Sequence, residues 1–412
     1  MPVALPVRDA DPLPGPAEPR YPAPVKTRRT FLRQGALAAA AAGWPGLGRR
    51  PDHGELPAGP APRTRHLVLV AFAGGVRRKE VLETPANVPN LMRIASAGVT
   101  MPKVRCENLG HYGAALSILT GRFEAMGIRD DERGLNPTLF ERLRKDAGLG
   151  PNEVWLSTSG GAQGRLFAHS DHPDYGQSQA ANVLDGDGLF NLEFKQLLDD
   201  LGRPQPDGEH ARAVLARLGR ALDPRAIRVE GGAGLPDPEQ AQRVAQFVLD
   251  GLTGNTARIS GPGGGDAKAI RIGLEILRVF RPRVLGITLQ NHDVAHGSFN
   301  GYVEVIRRND QELGRLWDAI QQDEELRDST TVLVLPEFGR DKDLNERNGL
   351  DHGDQSAEML EVFLIAAGPD FRRGKVLRDE VRTIDVCPTV LRMFGLPTPR
   401  GIEGRPILGL FG

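Results

Sequence analysis

The sequence predicts an α/β fold with a mostly parallel central sheet covered by helices on both faces. Three observations carry that expectation. Short, continuously apolar, β-rich runs stand at 66–72, 284–289, 331–335 and 362–366, the pattern of strands buried on both faces. Helix-period segments fall near and between them, the alternation that builds parallel sheets. With 412 residues, 40% of them hydrophobic and 25% charged, the chain is long enough to bury a sizeable core around such a sheet.

The N-terminal 63 residues are read as lying outside that fold. Prolines crowd residues 1–25, and Thr27-Arg28-Arg29-Thr30-Phe31-Leu32-Arg33-Gln34 precedes an apolar run at 35–43 that includes Ala38 to Ala42. This has the form of a twin-arginine signal, and the run is shorter than the roughly 20 residues a spanning helix needs. Residues 44–63, rich in Gly, Pro and Arg, read as a linker to a mature domain at 64–412. The expectation is export, periplasmic or extracellular, through the twin-arginine translocation machinery, which moves folded proteins. No later segment is apolar enough to span a bilayer.

A net charge of −1 gives no global field for a polyanion, so nucleic acid is not an expected partner. Cys106 and Cys387 form no C-x-x-C pair, which excludes a thiolate zinc cluster and a disulfide scaffold. They are read either as two buried thiols or as one bridge formed after export.

Taken in order, the run at 66–72 ends in Ala73-Gly74-Gly75, as a central strand does on entering a functional loop. Residues 89–98 read as a short helix, with Pro89 at its start, Leu91, Ile94 and Ala95 on one face and Gly98 as the stop. Residues 113–120 give a second, Ala-rich helix. The segment 165–268 is rich in Gly, Pro, Asp and Gln, with helical pieces near 189–201, 209–221 and 238–252. It is read as a mostly helical insertion or cap able to set substrate choice. Its glycine run at 261–265 lacks a Gly-Lys-Ser/Thr ending and a preceding strand, so it reads as a turn rather than a phosphate loop. Tyr302, Ile306, Asn309, Leu313, Leu316 and Ile320 recur at three- and four-residue intervals on one face of a long amphipathic helix.

Several segments, in this order, resemble the alkaline phosphatase and sulfatase superfamily. They are Ala73-Gly74-Gly75-Val76-Arg77, Thr84-Pro85 through Asn90-Leu91 to Gly98, and His111 through Ile118-Leu119-Thr120-Gly121. His292 through His296 to Asp310 and Leu313-Gly314 follow, then Thr330 to Arg340 with Asp351-His352-Gly353, and a closing Ile384-Asp385 to Gly395-Leu396-Pro397. The resemblance covers about 64–150 and 280–410. It implies a three-layer sandwich, and a mechanism in which two metal ions polarise a phosphate or sulfate ester while a Ser, Thr or modified Cys attacks.

Position by position, this chain departs from the family. Where the resemblance implies a metal-binding Asp, at the end of the first strand, stands Ala73, and where it implies the nucleophile stands His111. The Asp-His expected after 331–335 is Glu337-Phe338, and the Asp-x-x-x-His pattern becomes His292-x-x-x-His296 with Asp293 between. On an α-helical turn that spacing would bring both imidazoles to one face. The late histidine persists as His352. The resemblance therefore implies one metal ion rather than two, zinc above other divalent ions, held by His292, His296 and His352 with Glu337. A three-histidine zinc ion can acidify water to a pKa of about 7, with Glu337 or Asp293 as base and His111 or Arg340 stabilising a small anionic ester. Asp310 and Asp385 are read as helix-orienting, and Arg77 and Arg78 as an anion-attracting pair or a solvated loop. Two functions follow: an exported metal-dependent hydrolase, or a catalytically silent binding protein of the same fold.

Overall fold

Burial of apolar strands on both faces accounts for the architecture. In a computed structural model, residues 62–125, 133–159, 164, 166–185 and 259–412 are described. The first apolar run forms β1, His66–Phe72, with all seven residues buried. Its side chains alternate between two cores, as the two-residue strand period requires. Val68, Val70 and Phe72 face one core, and Leu67 and Leu69 face the other.

The other strands are β2 (Val99–Arg105), β3 (Val154–Thr158), β4 (Asn182–Asp185), β5 (Val284–Leu289), β6 (Thr330–Pro336), β7 (Glu361–Ala367), β8 (Lys375–Val376) and β9 (Val381–Arg382). They form one sheet in the order β4-β3-β5-β1-β6-β7-β2-β8, with β9 beside β2. From β4 to β6 every pairing is parallel. Strand β7 runs against both β6 and β2, so the sheet is mixed on one side.

Helices cover both faces. Against the first core lie α1 (Pro89–Ala97), α4 (Gly264–Phe280) and α5 (Phe299–Gln322), contributing Leu91, Ile94, Ile270, Ile306 and Leu313. Against the second lie α2 (His111–Thr120), α3 (Leu139–Lys145) and α6 (Val386–Met393), contributing Leu116, Leu143 and Val390. The stripe expected on α5 is the buried one, and truncating a side chain such as Leu313 to Ala costs about 3 kcal/mol. Ser298 caps α5 by accepting the Gly301 amide. Asp310 accepts the backbone amides of Asn90 and Leu91 at the start of α1, and Asp385 accepts those of Arg382 and Arg405. Both act as the helix-orienting groups expected.

Part of the segment 165–268 belongs to this layer structure: β4 is an edge strand, and α4 begins at its end behind the left-handed Gly261 and Gly263. The helical pieces near 189–201, 209–221 and 238–252 and the twin-arginine stretch lie outside the described residues. No helix among the described residues is long and apolar enough to cross a membrane. Cys106 and Cys387 are both buried and unpaired.

Candidate metal centre

Strands β5, β1 and β6 are neighbours in the sheet, and the loops that follow their C-terminal ends meet at the edge where parallel α/β sheets bind ligands. Gly74 makes that meeting possible: a Cβ there would lie 2.7 Å from the Gln290 carbonyl oxygen and 2.8 Å from the Asp293 nitrogen. Any larger residue would force β1's loop away from the turn after β5.

That turn, Asn291–His296, is a 3₁₀ helix. At three residues per turn, positions i and i+3 eclipse, whereas i and i+4 diverge by about 120°. Asp293 and His296 therefore share a face, with Asp293 Oδ1 3.3 Å from His296 Nε2. His292 points the other way. It is fully buried, accepts a hydrogen bond from Asn309 Nδ2 at 3.2 Å, and packs against the Phe72 ring. Asn309 also donates to the buried Asp266 at 2.7 Å, and Asp266 accepts the Asn291 amide. His292 is therefore a core residue tying the turn to α4 and α5, which corrects the expected His292-His296 ligand pair. Burial lowers its pKa and keeps the ring neutral.

The cluster facing outward contains His111, Asp293, His296 and His352. One nitrogen or oxygen from each lies within 4.8 Å of the others. His111 opens α2 behind Gly110. Its Nδ1 lies 2.6 Å from Glu337 Oε1 and its Nε2 3.0 Å from Asp293 Oδ1. His296 Nδ1 lies 2.5 Å from Asp351 Oδ1, and His352 Nδ1 donates to the Leu109 carbonyl at 3.0 Å. All three Nδ1 atoms are thus engaged by acceptors, and His111 and His296 present their Nε2 atoms to Asp293, with a ring nitrogen of His352 in the same cluster. A carboxylate or carbonyl on Nδ1 is the arrangement that orients imidazoles for a metal. Three histidines and a carboxylate are a donor set that suits zinc. The buried His111 Nε2 has the Asp293 carboxylate as its neighbour, at 3.0 Å. The residues therefore fit a divalent metal ion.

Charge follows from the packing. Burial disfavours a charged His111, but hydrogen bonds to Asp293 and Glu337 outweigh it and push the imidazole up to about 9. Burial also pushes the fully enclosed Glu337 carboxyl up to about 7 against the pull of His111. Burial would raise Asp293 as well, yet His111 and Arg340 hold it below the usual carboxylate range. Burial, with the positive charges of His111 and Arg340, lowers His352 to about 4, leaving a neutral ring.

Several expected roles change. Glu337 is wholly buried behind His111, with β6 continuing through its amide to the Phe72 carbonyl, and it lies outside the four-residue cluster. Arg340 is wholly buried too. It donates to Asp293 at 2.6 Å and to the Gly74 and Leu350 carbonyls, and so fixes Asp293 instead of reaching a substrate anion. Arg77 is buried in a bidentate pair with Glu80 and is no free anion trap. Phe338, standing where the resemblance implies an imidazole, packs its ring 4.9 Å from His111 and 5.1 Å from His352. Ala73 is buried and holds only its strand hydrogen bond to Leu289. Ser117 is turned into α2, donating to the Gly113 carbonyl. Asp351 and the Leu109 carbonyl were not expected to contribute. Their partners lie 55 and 243 residues away in sequence, and no local spacing signals such contacts.

No protein-family model matches the chain. A 117-residue stretch is 29% identical to the 2,3-bisphosphoglycerate-independent phosphoglycerate mutase of Synechococcus elongatus, covering 27% of this chain and only 21% of that relative. Among solved structures, wild-type alkaline phosphatase PafA superposes with a TM-score of 0.55 at 10% identity, covering 86% of this chain and all of that one. The sulfatase PsFucS1 of Pseudoalteromonas superposes at 0.51 and 10% identity, over 84% and 71% of the two chains. At such identities the likeness concerns architecture. The mixed nine-stranded sheet with helices on both faces has the fold of the alkaline phosphatase and sulfatase superfamily.

Proposed function

We propose that this protein is an exported, metal-dependent hydrolase of phosphate or sulfate esters with one divalent ion, zinc above others, held by His111, His296 and His352 beside Asp293. The observation that carries this reading is the convergence of one ring nitrogen from each of three histidines and one Asp293 oxygen within 4.8 Å of one another, with the Nδ1 of each imidazole hydrogen-bonded to an acceptor. When bound, such an ion supplies Lewis-acid polarisation of an ester oxygen and acidifies water. Asp293, about half exposed and kept ionised by Arg340, is placed either to complete the ion's donor set or to accept a proton from water. The first amides of α2 present a dipole that favours an anionic group nearby. The twin-arginine stretch at 27–34 supports export of the folded, loaded protein.

A second reading has its own observation. At the start of α2 His111 has no hydroxyl, Tyr112 is buried against Phe167 and Ser117 is turned inward onto the Gly113 carbonyl, as expected of a binding protein that keeps the fold and a closed four-donor metal site. Elemental analysis of residues 64–412, purified without chelator, tests the metal. About one ion per chain is expected, and none in a folded His111→Ala, His296→Ala, His352→Ala variant. Loaded protein is then assayed on aryl phosphate, phosphodiester and sulfate esters. Turnover lost in the triple variant supports the hydrolase; a bound ion without turnover supports the binding protein.

A further inference from the structure

Glu337 is the buried group whose chemistry is least explained by the fold. It sits at the end of a central strand, fully enclosed, with Oε1 2.6 Å from His111 Nδ1 and Oε2 without a partner. Burying a carboxylate is costly unless it is hydrogen-bonded or paired, and among the described residues its hydrogen-bond partner is His111. An apolar residue would fill the same space without that cost. The other two Nδ1 acceptors are a half-exposed carboxylate, Asp351, and a backbone carbonyl, so Glu337 is the acceptor that water screens least.

We infer that Glu337 is a positioning residue. It accepts a hydrogen bond from His111 Nδ1, so that His111 keeps its Nδ1 proton and gives up its Nε2 proton when an ion binds beside Asp293, and it thereby makes His111 a metal ligand. This rests on the metal-binding reading above. The glutamate is long enough to reach the imidazole from the strand end, where it holds the ring from behind. The role follows from the geometry of a rigid strand end and a helix start, both fixed by the two cores.

Zinc affinity measured by competition with a chromophoric chelator tests the assignment, alongside elemental stoichiometry and the melting temperature of metal-free protein. Wild type is expected to bind one zinc. Glu337→Gln, which keeps an acceptor but loses the charge, is expected to bind one zinc about 10-fold more weakly, and Glu337→Ala about 100-fold more weakly. Glu312→Gln, on α5 and paired with Arg271, is expected to match wild type. Unchanged affinity in both Glu337 variants, with one zinc bound, overturns the positioning role and leaves the metal centre standing. A wild type that takes up no zinc overturns both. Should the Glu337 variants not fold, nitrogen-15 NMR of zinc-loaded wild type decides. A His111 proton on Nδ1, identified by its loss in His111→Gln, supports the role, and an Nδ1 without a proton overturns it.

Discussion

Two faces of one short turn, adjacent in sequence, do opposite things. His292 faces inward to Asp266 and Asn309 and has no exposed surface. Asp293 and His296, on the other face, meet His111 and His352 at the sheet edge. The difference comes from helical period. An α-turn would have paired 292 with 296, and the 3₁₀ turn pairs 293 with 296. The same two histidines thus divide between a core network and a candidate metal centre.

This division can be broken experimentally. The largest expected effect is on metal content: His296→Ala with His352→Ala should reduce bound zinc to background, whereas His292→Ala should leave about one ion per chain, both read by elemental analysis. Next, His292→Ala should destabilise the fold by about 3 kcal/mol in chemical denaturation, because it opens a cavity and strands Asn309. The outward histidines should cost the metal-free protein far less.

A third effect is on pH. The His111 imidazole is raised to about 9 when folded, against about 6.5 when unfolded. Its contribution is therefore fully present below pH 6.5 and lost as pH rises through about 9. Stability of metal-free protein should fall by about 3 kcal/mol across that window, and His111→Gln should flatten the profile. The smallest effect sharpens the contrast between buried and exposed Nδ1 acceptors. Asp351→Asn should weaken zinc binding only a few-fold, less than either Glu337 variant, because Asp351 is half exposed and its interactions are screened by water.

Much of the fold could be read from local pattern. The runs that form β1, β5, β6 and β7 are apolar over most of their length, and α1, α2 and α5 declare themselves by Pro, Ala and a stripe recurring every three or four residues. Strands β2 and β4 carry no such local signal: β2 is interrupted by Pro102 and Lys103, and β4 is a four-residue edge strand within the Gly- and Asp-rich segment. The reversal of β7 could not be read either, since strand direction is set by the connection and not by composition.

For the site, the sequence by itself determined which residue types arrive at the C-terminal ends of β1, β5 and β6: Ala73 without a ligand atom, an imidazole at 111, a carboxylate at 337 and histidines at 296 and 352. Only the tertiary structure decided which of them face one another. Whether a turn closes with three or four residues depends on how β5, α4 and α5 pack around Asp266 and Asn309, contacts made across tens of residues. Donor chemistry is a property of each side chain, but convergence is a property of the packed core.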